Sequence, residues 1–204
     1  MNPKRHPSKE ELLPMLQLFS SFNPVGKGVE SFLLKNMYYD RIPRGKYLVR
    51  PGEICDSLAF ITKGIMRSYI EEDGKEVTTR FGMEHEFVTT LDSFIMHTPT
   101  LENIQAVEDC ELIVISSAGL NKLYQKYPSF NIIGRKLMES YYIYAEKRAY
   151  ITRLRDAEKK YELFLQYFSS YANRIQLTYI ASFLGITIET LSRVRAKASV
   201  RKKK

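Results

Sequence analysis

The chain has 204 residues, 44% of them hydrophobic and 26% charged, and carries a formal net charge of +8 at pH 7. That size allows one or two domains with ordinary cores, and the composition excludes a disordered chain. Two cysteines, Cys55 and Cys110, form neither a disulfide framework nor a zinc spacing, and no apolar run approaches the roughly 18–20 residues that span a bilayer.

In chain order, the opening MNPKRHPSKEELLPM lacks the apolar core of a signal peptide. The expected location is the cytoplasm, with no membrane partner. Residues 10–22 and 29–36 read as helices. Residues 38–42, 46–50, 57–62, 64–71, 76–81 and 102–116 are rich in Tyr, Ile, Val and Thr and read as strands. Pro43-Arg44-Gly45, Pro51-Gly52, Lys63-Gly64 and Asp73-Gly74 punctuate them; Asp-Gly between two such runs is a strong hairpin signal. Short strands at regular spacing predict a closed or sandwiched antiparallel barrel. Both cysteines fall in these segments and read as small buried core residues.

From about residue 128 to 155 the period changes. Ile133, Leu137, Tyr141, Tyr144, Ile151 and Leu154 follow a 3–4 repeat, and no Gly or Pro follows Gly134. A helix of about 25 residues at 1.5 Å rise is nearly 40 Å long, and its apolar stripe needs cover. It could pack on its own barrel; a self-complementary pairing across a two-fold axis is the favoured expectation. Tyr141, Tyr142 and Tyr144 then belong to that seam rather than to an aromatic cage. A further helix is predicted over 157–171.

The most informative stretch is LTYIASFLGITIETLSRV, residues 177–194. Leu177, Ile180, Ala181 and Leu184 have the spacing of an amphipathic helix. Gly185 can stop it in the left-handed conformation. Thr187 can cap a second helix, with Glu189 in its positive first turn. Small Ala181 lets the helices cross closely, and Ile186 plugs the corner. Two short helices on a glycine turn describe a helix-turn-helix, whose second helix fits a DNA major groove. An ordinary corner between two helices has the same spacing.

Charge placement favours the first reading. Residues 193–204 hold Arg193, Arg195, Lys197, Arg201, Lys202, Lys203 and Lys204 with no acid, so the rest of the chain is close to neutral. Clustered cations release counterions from phosphate, although a basic terminus can also be a solubilising extension. Leu191 and Val194 face inward, which leaves Thr187, Ile188, Glu189, Ser192 and Arg193 outward, with Thr190, Arg195 and Lys197 completing the expected DNA-binding set. Arg reads guanine O6/N7 and Glu accepts from cytosine N4.

The segment IPRGKYLVRPGEICDSLAFITKGIMRSYIEEDGKEV (42–77), with glycines at 45, 52, 64 and 74, resembles the cyclic-nucleotide-binding β-roll of the cAMP receptor protein/FNR (Crp/Fnr) family of transcription regulators. GITIETLSR (185–193) resembles that family's recognition helix. The resemblance implies an α+β chain: an N-terminal antiparallel β-roll of jelly-roll type with its leading helices over 1–127, a long dimerisation helix over 128–155, and a C-terminal helix-turn-helix domain with a basic tail over 156–204. It implies base-reading roles for Glu189 and Arg193. Ile188 stands where the cyclic AMP receptor has another Arg, so a different operator is expected. The implied partners are double-stranded DNA, a second copy of the chain, RNA polymerase and an unknown small-molecule effector.

The departures are equally specific. Members that bind cyclic AMP carry a Gly-Glu pair and an Arg-Ser/Thr-Ala run; this chain has Thr89-Thr90 and Leu101-Glu102-Asn103 there. A guanidinium gives a phosphate two charge-assisted hydrogen bonds, which Leu101 cannot, and Glu102 repels the anion. Arg80 falls on the preceding strand. These five positions form the candidate effector pocket, and binding of cyclic AMP in the usual way is not expected. No cofactor is expected: an iron–sulfur cluster needs about four cysteines, and His85 and His97 read as loop residues rather than haem ligands. Residues 94–100 (FIMHTPT) either wall a small pocket or fill core. Where that family usually continues into a β-wing, Ala198-Ser199-Val200 leads to Arg201–Lys204; the expectation is either a wing reduced to nothing with the basic tail as phosphate anchor, or a terminus disordered without DNA. An effector-binding module with weak or lost DNA binding is the alternative function. An enzyme is not expected, since no nucleophile–base pair, phosphate-cradling loop or metal spacing is present.

Overall fold

The structure, a computed structural model, describes residues 5–201, with side chains described through Ala198. The tail cations Lys202, Lys203 and Lys204 and the side chain of Arg201 lie outside it. The chain divides into two compact units, Met1–Ile70 with Phe81–Glu139, and Glu71–Arg80 with Ser140–Lys204. The elements in order are α1 (Lys9–Phe22), α2 (Lys27–Asn36), β1 (Tyr38–Ile42), β2 (Tyr47–Val49), β3 (Ser57–Lys63), β4 (Met66–Glu72), β5 (Lys75–Gly82), β6 (Phe87–Val88), α3 (Leu91–Met96), β7 (Asn103–Ala106), β8 (Cys110–Ser116), α4 (Ser117–Lys126), α5 (Phe130–Arg153), α6 (Ala157–Phe168), α7 (Leu177–Leu184) and α8 (Ile188–Arg201).

In the first unit, Ser8 and Glu11 form a reciprocal capping box that starts α1. Leu12, Met15, Leu16 and Phe19 recur at helical spacing and bury one face of it. The strands of the chain make two four-stranded sheets, ordered β1-β8-β3-β6 and β2-β7-β4-β5, of which the stretch Glu71–Arg80 is counted with the second unit. Ile42, Ala59, Ile61, Leu112 and Val114 of the first sheet share a core with Val49, Met66, Ile104 and Ala106 of the second. The alternate residues Phe60, Ile113 and Ile115 pack instead with α1, α2 and Phe130. That explains the unbroken run Leu112-Ile113-Val114-Ile115: a strand buried on both faces cannot alternate with polar residues.

The hairpin at Asp73-Gly74 forms as expected, with φ of 49° and 72°, the two positive values that a tight primed turn requires. The span 102–116, expected as one strand, is two. Glu108 and Asp109 break it, and the Asp109 carboxylate accepts the Arg44 backbone N–H at 2.8 Å. Helix α4, strand β6 and short α3 were not anticipated. Ser116 caps α4 by accepting the Gly119 N–H at 3.1 Å.

In the second unit, Asp156 caps α6 through the N–H groups of Glu158 and Lys159. Phe164 stacks on Phe168 with ring centroids 4.7 Å apart, and Phe183 of α7 lies 5.9 Å from Phe164 and 5.8 Å from Phe168. Ile180, Leu184 and Leu191 are fully buried with them. Helix α6 ends at Phe168 rather than residue 171, where Ser169, Ser170 and Asn173 favour turns over helix. Helix α8 runs on to Arg201, so Ala198, Ser199 and Val200 lie within the helix rather than beyond it. No helix among the described residues is long and apolar enough to cross a membrane.

Candidate nucleic-acid interface

The α7–α8 pair is fixed by its turn. Gly185 closes α7 at φ 61°, ψ 45°, and the Ile186 N–H reaches back to the Ala181 carbonyl at 3.1 Å, the six-to-one bond of a Schellman ending. One more carbonyl at that end, Leu184, accepts from the Lys160 ammonium at 2.6 Å. Lys160 is only 6% exposed, and burial lowers its pKa. A cation at a helix C-terminus complements the local negative potential. Sequence reasoning missed Lys160. Its signal was a lysine on the apolar stripe of α6, in register with Ala157, Tyr161 and Phe164.

Thr187 starts α8: its Oγ1 accepts the Thr190 backbone N–H at 3.2 Å. The Thr187 hydroxyl also bonds Thr190 Oγ1 at 3.1 Å, which in turn accepts from Arg193 Nη2 at 3.3 Å. This chain holds the Arg193 guanidinium beside the first turn of the helix. Leu191 and Val194 point into the core, at 0% and 7% exposure. Thr187, Ile188, Glu189, Ser192 and Arg193 are exposed together, while Thr190 and Arg195 are half-buried. The Glu189 carboxyl is held below its usual range by its own backbone N–H and by the Thr187 hydroxyl. Lys197 turns toward α6 and pairs with Glu158 at 2.7 Å. The arrangement therefore presents an acceptor at Glu189, a donor fork at Arg193 and an apolar side chain at Ile188, each exposed on the first two turns of α8.

The positions of the candidate effector pocket differ in burial. Thr89 and Thr90 follow β6 and are buried. Thr89 Oγ1 lies 3.4 Å from Cys55 Sγ, in the core between the sheets. Asn103 is buried opposite Tyr69 in the β4–β7 register, on the strand face away from Ile104 and Ala106. Glu102 is half-buried, and Leu101 is 80% exposed. Thr90 Oγ1 and Asn103 Nδ2 are buried without a hydrogen-bond partner, an arrangement that costs free energy unless something fills it. Arg67, 1% exposed and 4.3 Å over the Tyr69 ring, was missed by sequence reasoning. Nothing in the strand pattern marks a buried arginine. Residues 94–100 do not form one wall: Phe94 is buried, whereas Ile95, Met96 and His97 are exposed. Burial pushes the Cys110 thiol up to about 12, so it is no thiolate at neutral pH.

Residues 39–127 match the family described as cyclic nucleotide-binding domain. No match was found among curated proteins. Among solved structures, the c-di-GMP-responsive global regulator CLP of Xanthomonas campestris superposes with a TM-score of 0.66 at 21% identity, over 87% of this chain and 93% of that one. FixK2 of Bradyrhizobium japonicum gives 0.69 at 16% identity, covering 81% and 86%. A protein from Eubacterium rectale assigned to the Crp/Fnr family gives 0.67 at 18% identity, covering 91% and 88%. At these identities the likeness is one of fold.

Proposed function

We propose that the chain, whose residues 39–127 match the cyclic nucleotide-binding domain family and whose fold is similar to that of a Crp/Fnr-family protein, is a dimeric, sequence-specific DNA-binding transcription regulator acting on RNA polymerase at promoters. The observation that carries this is the face of α8. A Schellman turn, a buried lysine and a threonine cap fix a helix whose exposed side chains are Thr187, Ile188, Glu189, Ser192 and Arg193. In this reading α7 and α8 are a helix-turn-helix. Arg193 donates to a guanine edge, Glu189 accepts from cytosine N4, and Ile188 meets a thymine methyl. Helix α5 supports the dimer: Ile132, Met138, Tyr142, Ile143 and Tyr150 lie exposed along it, apolar area that a second copy would cover.

Selection of genomic fragments by the purified protein should return a pseudo-palindrome with half-sites about one duplex turn apart. On that site Arg193→Ala should cost roughly 1–3 kcal/mol, with a much smaller loss on random DNA. An equal loss on both makes Arg193 a phosphate contact only, and no enriched fragment at all removes the proposal.

The sensory half rests on the first unit. Where the cyclic-phosphate-holding run of the family would stand, Leu101 is exposed and Glu102 is an acid, so cyclic AMP lacks its usual anchor. Isothermal calorimetry with cyclic AMP should show no binding in the micromolar range; micromolar affinity would overturn this part.

A further inference from the structure

The segment Glu71–Arg80 belongs to the second unit rather than to the first, and the contacts that hold it there are specific. Strand β5 is the edge of its sheet, so one side of its backbone has no neighbouring strand. Ser182 of α7 takes that place. Its Oγ accepts the Thr78 backbone N–H at 2.9 Å and donates to the Glu76 carbonyl at 2.8 Å. One hydroxyl thus serves the N–H and the C=O two residues apart on the strand, as a paired strand would. Arg148 extends the seam by donating to the Thr79 carbonyl at 2.9 Å, and the Arg80 guanidinium lies 5.2 Å over the Tyr141 ring. A hydroxyl can both give and take a hydrogen bond, and covering an edge in this way removes the cost of unpaired backbone groups.

The turn carried by this segment is acidic. Glu71, Glu72 and Asp73 are exposed at its tip, next to Lys75. The Ser182 bonds therefore tie an anionic hairpin to the first helix of the pair whose second helix carries Arg193. A duplex bears one negative charge per roughly 1.7 Å of axis, and screening at physiological salt acts over about 8 Å. Carboxylates tied to α7 add negative charge to the element that precedes α8.

We propose that Ser182 is a latch, and that the hairpin Glu71–Arg80 it holds restrains the α7–α8 pair in a state of lowered DNA affinity. The proposal rests on the DNA-binding reading above and adds its regulation: release of β5 from Ser182 raises affinity without altering any base-reading side chain. Ser182→Ala removes both hydrogen bonds and leaves a good helix former in α7. Ser182→Thr keeps the hydroxyl. Glu72→Gln with Asp73→Asn removes charge while leaving the Ser182 bonds, and Asn tolerates the left-handed φ of position 73.

The test uses the full chain, with hydrogen exchange at the Thr78 amide read beside anisotropy titration of the selected DNA fragment. The expected result for Ser182→Ala is faster exchange at Thr78 and an affinity raised about 3- to 10-fold, the scale of one or two hydrogen bonds. Ser182→Thr should behave as the parent. The charge variant should give a smaller rise that disappears at high salt, with exchange at Thr78 unchanged. Faster exchange with unchanged or weaker DNA binding overturns the latch while leaving the DNA-binding reading intact. Failure of every variant and the parent to select a fragment overturns that reading, and the latch with it.

Discussion

In the first unit a strand such as β8 is buried on both faces and pairs with β1, whose residues lie far earlier in the chain, Tyr38 opposite Val114 and Ile42 opposite Cys110. In the second unit, three short helices follow one another around the rings of Phe164, Phe168 and Phe183. The first arrangement holds β8 between β1 and β3 and between two packed layers, so the turns around it have little room to adjust. The second sets the direction of α8 by the buried Leu191 and Val194 together with a few polar contacts: the Gly185 turn, the Lys160 ammonium on Leu184, and the Thr187 cap. An arrangement with so few residues between its elements has local determinants. Shape in the roll is costly to alter.

A pair of glycines tests that contrast directly. Gly64 joins β3 to β4 at φ 98°, and a Cβ built there would lie 2.7 Å from the Asp109 backbone oxygen and 2.7 Å from Cys110 Sγ. Gly185 has φ 61°, and a Cβ there meets only Lys160 Nζ, at an ordinary 3.7 Å. Gly64→Ala therefore combines left-handed strain with overpacking against backbone, and should destabilise by about 2–4 kcal/mol. Gly185→Ala bears the strain alone, about 1–2 kcal/mol. Urea denaturation of the two variants reads both values. Equal losses would mean that the roll's turns yield as readily as the helix corner, and the contrast between the units would fail.

The same contrast decides what the sequence could reveal. The α7–α8 corner was legible because its determinants are local: Ala181, Gly185, Thr187 and Leu191 fall within a dozen residues. The Asp73-Gly74 hairpin was legible for the same reason. The break between β7 and β8 was not, because Val107 is held by a distant partner, its N–H bonding the Ile65 carbonyl at 2.8 Å. Arg67 is a charged residue in a strand, which reads as solvent-facing until Tyr69 is seen beneath it. Thr89 and Thr90 are buried while Leu101 is exposed, and nothing local in the sequence tells that Leu101 points outward. The Ser182 contact joins residues 104 apart in sequence, and no periodicity encodes it.

The smallest expected effect lies at the edge of the rigid unit, where the contrast predicts that a surface ion pair matters little. Arg5 grips Glu11 with two hydrogen bonds of 2.8 and 2.5 Å, while Glu11 also accepts the Ser8 backbone N–H at 2.8 Å. The guanidinium bond is the chief cause that holds the Glu11 carboxyl down at about 2, from an ordinary 4.5. A carboxylate whose pKa falls on folding stabilises the fold fully above its unfolded value, and that stabilisation drains away as pH drops from about 4.5 through about 2. Both side chains are substantially exposed, at 50% and 29%, so solvent screens most of the gain. Glu11→Gln keeps a capping-box partner for Ser8 and loses the ion pair. Its midpoint in urea should fall slightly at pH 7, well below the loss for Gly185→Ala. The gap to the parent should close as pH approaches 2, and narrow with added salt. A gap that stays constant across that window would place the anchoring of α1 in the buried face of Leu12, Met15 and Phe19 alone, with the carboxylate contributing nothing to it.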